Sequence, residues 1–127
     1  MNAETWLREY YLLCDAKDVD GIMEHWAPDA FLQFGGGEPI VGTGAIRSWF
    51  AEFMNSLQSQ KHKLGRLWEL PDGYLFFEAE VDNILHDGRA VTVQGGTICR
   101  VKDGQFVENR TYVDISPAGA PVTGSSG

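Results

Sequence analysis

Apolar residues recur at three- and four-residue spacing in the first part of the chain and at every second residue in the last part. Trp6, Leu7, Tyr10, Tyr11, Leu13 and Cys14 follow the first rhythm, which predicts an amphipathic helix from about Ala3 to Ala16. Asp18 is placed to cap a second, short helix that carries Ile22, Met23 and Trp26 and stops before Pro28. Ala30 to Phe34 reads as a short strand running into Gly35-Gly36-Gly37. Thr43 starts a third helix, with Ile46, Trp49, Phe50, Phe53, Met54 and Leu57 on one face.

After Gln60 the period changes to two. Turn signals at Pro71-Asp72-Gly73, His86-Asp87-Gly88 and Lys102-Asp103-Gly104 separate four predicted strands. These run near His62 to Leu70, Tyr74 to Leu85, Arg89 to Lys102 and Gln105 to Ile115. Gly95-Gly96 predicts a bulge or sharp bend in the third of them. Three helices followed by one antiparallel meander predict an α+β domain whose helices pack in the hollow of a strongly curved sheet. Such a sheet does not close over three helices, so an apolar cavity is expected at its open end. From Ser116 onward the chain is rich in Pro, Gly, Ala and Ser. The reading is one domain over residues 1–116 and a flexible tail over 117–127.

Alternation also assigns faces. Leu75, Phe77, Ala79 and Val81 point inward and carry Asn83 with them, while Glu78, Glu80 and Asp82 point out. Val91, Val93, Cys99 and Val101 place Thr97 inside, and Val107 and Val113 bring Asn109 and Thr111. His62, Leu64 and Trp68 share the core side of the first meander strand. The expected cavity therefore holds Tyr10, Tyr11, Asp15, His62, Asn83, Thr97, Asn109 and Thr111 as polar groups, among the apolar Phe34, Trp49, Phe53 and Phe77.

The net charge of −8 over 127 residues disfavours a nucleic-acid partner, because the surface repels phosphate. No apolar run approaches a membrane span, and the Met1-Asn2-Ala3-Glu4 start carries no signal-peptide pattern, so a cytoplasmic location is expected. Cys14 and Cys99 match no zinc or redox spacing and read as buried free thiols. Neither a metal site nor a cofactor is expected.

The order of these elements resembles the SnoaL-like group of the nuclear-transport-factor-2-like superfamily. The segments that carry the likeness are Asp18-Val19-Asp20-Gly21 through Trp26-Ala27-Pro28-Asp29-Ala30, then Gly42-Thr43-Gly44-Ala45-Ile46. Asp103-Gly104-Gln105-Phe106 and Arg110-Thr111-Tyr112-Val113-Asp114 complete them. The resemblance implies a cystatin-like cone with a mixed, mainly antiparallel sheet. Against ketosteroid isomerases, Tyr10 falls where that family keeps its oxyanion-binding tyrosine. Phe34 and Thr97 occupy the positions of its two catalytic carboxyl groups, so that mechanism does not carry over. Against scytalone-dehydratase-like members, His62 and Asp15 match the strand-start histidine and its helix-end aspartate. Val81-Asp82-Asn83 stands where a second pocket histidine would be.

A histidine moves protons near neutral pH, and a carboxylate behind it fixes its tautomer. Asp15, His62 and Tyr10 thus form a candidate catalytic set for removing a proton beside a carbonyl, the first step of dehydration, isomerisation or cyclisation. The other readings are a solvated rim for His62, a turn cap for Asp15 and plain core for Tyr10. The expected function is a cofactor-free acid–base enzyme acting on a small apolar carbonyl compound. The alternative is a non-catalytic binding or accessory module. A homodimer is expected through the outer sheet face, where Tyr74, Phe76 and Tyr112 lie among charges.

Overall fold

The structure is a computed structural model and describes residues 2–114. Three helices, α1 (Ala3–Asp15), α2 (Val19–Met23) and α3 (Thr43–Asn55), pack against one six-stranded sheet. Its strands are β1 (Trp26–Phe34), β2 (Ile40–Val41), β3 (Leu57–Glu69), β4 (Tyr74–Leu85), β5 (Ala90–Lys102) and β6 (Gln105–Asp114), in the order β2-β1-β6-β5-β4-β3. Only β1 and β6 run parallel, and the sheet is open. This is the α+β arrangement expected from the order of elements. None of the described helices is long and apolar enough to cross a membrane. The expected tail over 117–127 and the last residues of the domain lie outside the described residues.

Local chemistry sets the helix ends. The Asn2 side chain accepts from Thr5 N–H at 3.0 Å and opens α1, and Asp18 accepts from Gly21 N–H at 3.0 Å and opens α2. Between them α1 ends in a Schellman turn: Asp18 N–H bonds Leu13 C=O and Lys17 N–H bonds Cys14 C=O, each at 3.0 Å. Lys17 takes the left-handed position of that turn, at φ 57°, and its ammonium reaches the Leu57 carbonyl at the start of β3. The turn thereby fixes where Asp15 meets β3.

Leu7, Tyr10 and Cys14 of α1 and Ile46, Phe50 and Met54 of α3 recur every three or four residues and are buried. They meet Trp26, Leu75, Phe77, Cys99 and Phe106 on the concave sheet face. The buried Trp26 indole N–H donates to the Tyr10 hydroxyl at 3.1 Å, which satisfies the one polar atom that this large side chain brings inside.

Four expectations are corrected. Trp26 belongs to β1 rather than to the second helix, and Pro28 lies within that strand. The β1–β6 register shifts between Trp26 and Phe31, so Pro28 falls in an irregularity that needs no ladder N–H. Leu57 starts β3 instead of ending α3, and β3 begins well before His62. Trp68 is not on the core side. A register shift between Leu64 and Leu67 reverses the parity, packs Leu67 on the core and places Trp68 against Phe76 at 5.4 Å. Gly95-Gly96 makes no bulge, because pairing to both β4 and β6 is continuous there. Gly95 instead allows close approach: a Cβ at that position would stand 2.5 Å from the Tyr112 carbonyl oxygen. The short β2, which pairs with Phe31 and Leu32, was not anticipated.

Candidate active site

The helices leave a cavity of about 130 Å3 against the concave sheet face. Tyr10 and Tyr11 line it from α1, Phe34 from β1, and Trp49 and Phe53 from α3. The last two stack at 5.1 Å and 7° and form an apolar wall. Phe77 and Asn83 reach it from β4, Thr97 from β5, and Asn109 and Thr111 from β6. His62 reaches it from β3. Period-two alternation explains these placements along β4 and β5 and along β6 from Asn109 onward; a register shift at the start of β6 buries Phe106 out of that rhythm and leaves Val107, expected inward, only partly buried.

Asp15, on the last turn of α1, does not line the cavity as expected but is bonded to His62, which does. His62 Nδ1 lies 2.7 Å from Asp15 Oδ1, and the His62 main-chain N–H donates to Oδ1 and Oδ2 at 3.0 and 3.2 Å. The side chains of His62 and Asp15 are 14% and 21% exposed, so solvent screens the pair only partly. A carboxylate at a helix C-terminus opposes the helix dipole, and α1 has no basic residue in its last turn. The two N–H groups of His62 offset that cost. Because an ionised carboxylate only accepts, the neutral ring carries its proton on Nδ1 and keeps its lone pair on Nε2. Among the described residues Nε2 has no hydrogen-bond partner. The ring stacks on Tyr11 at 4.4 Å and 18°, which fixes its plane.

Tyr10 lines the same cavity, but its hydroxyl is engaged with Trp26. Burial, followed by the nearby Cys14, holds its phenol well above the ordinary tyrosine range. Burial acts first on Tyr11 as well, and raises its phenol strongly. Both therefore stay protonated near neutral pH. Burial pushes the Cys14 and Cys99 thiols up to about 12, so neither is a ready nucleophile.

Two further polar groups stand on the walls. Thr111 donates to Asn109 Oδ1 at 2.8 Å, and the Thr97 and Thr111 hydroxyls are 2.9 Å apart. Gln60, buried on β3 and lining the cavity, bonds Asn83 Oδ1 through Nε2 at 3.4 Å. Gln60 is absent from the expected cavity residues because the predicted strand starts at His62. Extending the same alternation two residues back would have found it. Among the described residues no group of three His, Cys, Asp or Glu side chains could hold a metal ion.

Several solved structures share the fold. An NTF2-like protein of unknown function from Exiguobacterium sp. 255-15 is 22% identical, with 86% of this chain and 98% of that chain covered and a TM-score of 0.74. A protein from Xanthomonas campestris pv. campestris, provisionally assigned as a polyketide cyclase, is 20% identical, covers 90% and 91%, and scores 0.74. The epoxide hydrolase/cyclase-like enzyme SalBIII, with a role in pyran ring formation in polyether salinomycin, is 16% identical, covers 90% and 92%, and scores 0.78. No curated protein sequence matches this chain significantly. A family model described as the SnoaL-like domain matches residues 7–109.

Proposed function

The chain belongs to the SnoaL-like domain family, and from that premise we propose that it is a cofactor-free acid–base enzyme working on a small apolar carbonyl compound. The observation that carries this reading is the 2.7 Å Asp15–His62 pair, which leaves Nε2 of a ring on the cavity wall without a partner among the described residues. A fold alone does not specify a reaction, whereas these atoms can move a proton. The kinship with a protein assigned as a polyketide cyclase and with a cyclase-like enzyme supports the same class.

Nε2 takes a proton from the carbon beside the substrate carbonyl, and the electron pair of that C–H bond moves into an enolate. The imidazolium so formed keeps its Nδ1–H on Asp15, where the bond becomes charge-assisted. Nε2–H then returns the proton to a leaving hydroxyl, which gives dehydration, or to a different carbon, which gives isomerisation. Ring closure follows when the enolate carbon attacks a second carbonyl, whose π pair moves to its oxygen and takes the proton from Nε2–H. The cavity of about 130 Å3 accommodates roughly one six-membered ring, since an apolar cavity of ~150 Å3 holds benzene.

A substrate-independent test is available. Incubating the protein with small cyclic ketones in deuterated water, NMR reads exchange of the proton beside the carbonyl. Wild type is expected to accelerate exchange above the buffer rate, and His62→Ala is expected to lose that acceleration. Equal exchange in both proteins would reject the mechanism.

A further inference from the structure

Gln60 precedes His62 by two residues on β3, so both side chains turn to the same cavity. Gln60 is 6% exposed and Asn83, its partner across the β3–β4 ladder, is 8% exposed. The orientations of both amides are set by the main chain. Asn83 Nδ2 faces the carbonyls of Val81 and Val91 at 3.3 and 3.4 Å, and a carbonyl accepts only from a donor. Asn83 Oδ1 therefore points the other way, toward Gln60, and can be met only by Nε2 of Gln60. Oε1 of Gln60 is left as an acceptor, buried and without a partner among the described residues. Flipping either amide would set two oxygens or two donors against each other.

We infer that Gln60 is a specificity-determining residue whose Oε1 accepts a hydrogen bond from a hydroxyl of the molecule bound beside His62. An unpartnered buried acceptor is expensive, and a site built round one discriminates for ligands that supply the donor. Among the described residues it is the only buried side-chain polar atom without a partner, and it belongs to a side chain on the cavity wall. The 3.4 Å bond to Asn83 is long, so a small turn of the Gln60 amide that keeps Nε2 on Asn83 Oδ1 presents Oε1 to a donor entering next to the His62 ring. This inference rests on the cavity being the ligand site. It adds to the acid–base reading that a favoured substrate carries an O–H group near the carbon that His62 deprotonates.

The test uses the full chain and two probes of matched shape, phenol and toluene, with affinities measured by titration calorimetry or ligand-observed NMR. An apolar cavity without the acceptor would favour toluene. Wild type is expected to bind phenol about tenfold more tightly than toluene, as one hydrogen bond to a buried group implies. The preference is expected to disappear in Gln60→Met and to survive in His62→Ala. Equal binding of both probes by wild type, as a water held on Oε1 would give, overturns the inference while keeping the cavity as the site. Loss of the preference in His62→Ala but not in Gln60→Met also overturns it, by placing the hydroxyl on the histidine. If neither probe binds, the cavity reading fails and this inference with it. Should Gln60→Met not fold, the side-chain amide resonances of Gln60 in wild type decide. They are expected to shift with phenol and to stay put with toluene, and a null or equal response rejects the assignment.

Discussion

Asp15 and His62 are joined twice: the carboxylate accepts from the histidine main-chain N–H at 3.0 and 3.2 Å and stands 2.7 Å from ring Nδ1. The main-chain bonds anchor the helix end to the strand whether or not a ring is present. Ring and anchor can therefore be separated by substitution.

Replacing the ring tests the chemistry. His62→Ala is expected to keep its circular-dichroism spectrum, since the His62 N–H still bonds Asp15. Its rate of α-proton exchange is expected to fall by about 10²–10⁴, the usual contribution of a positioned general base. An unchanged rate would assign His62 a structural role.

Replacing the carboxylate tests the anchor. Asp15→Asn keeps an acceptor for the His62 N–H but can offer its own NH2 to Nδ1, which favours the wrong tautomer. Exchange is expected to drop about tenfold or more while the melting temperature changes little. Asp15→Ala leaves a half-buried N–H without a partner and is expected to cost about 1–3 kcal/mol in urea unfolding. Equal stability of the two variants would contradict the anchoring role.

Two glycine substitutions are expected to act in opposite directions. Gly95→Ala places a Cβ 2.5 Å from Tyr112 O and 3.0 Å from Val113 Cβ, and is expected to cost at least about 1–3 kcal/mol. Gly44→Ala lies in the first turn of α3 with nothing within 4 Å of the new Cβ, and is expected to add about 0.4 kcal/mol or more by restricting the unfolded chain. Urea midpoints of the two variants check both signs.

Alkaline pH is expected to destabilise the protein. In the folded state burial holds Cys14 and Cys99 up to about 12, against an ordinary value of 9.0. Below the ordinary value both states keep their thiol protons. Above it the unfolded chain releases protons that the folded chain retains, so stability falls as pH rises, until the folded pKa is reached. The slope is about 1.4 kcal/mol per pH unit for each thiol, and Tyr10 and Tyr11 add to it at still higher pH. Unfolding midpoints that stay flat between about pH 8 and about pH 10 would refute this linkage.

The meander is legible because alternation runs along β4 and β5 and along β6 from Asn109 onward, and Phe77, Asn83, Thr97, Asn109 and Thr111 follow from it; the register shift that buries Phe106 has no such signature. Parity failed at Trp68, because a register shift inside β3 carries no residue signature beyond the permissive Gly65. Gly95-Gly96 showed where the backbone comes close, but a glycine pair does not distinguish a bulge from a contact. Trp26 followed a helical spacing and was claimed by the sheet, where it packs on Phe50 and Phe106. The Asp15–His62 contact spans forty-seven residues of sequence, so only family likeness, not local pattern, could suggest it.

The parallel β1–β6 pairing, with Leu32 beside Asn109, joins a strand made early in synthesis to the last described one. Until β6 is in place, β1 has only its small partner β2 beside it in the sheet. Until then the wall that carries Asn109 and Thr111 is missing, although Asp15 and His62 are already translated. Non-local pairings of this kind slow folding in general, and this one is expected to form late. A nascent chain halted before β6 would thus carry the proton-transfer pair with no chamber to hold a substrate, and competence to bind would report that the whole sheet has been completed.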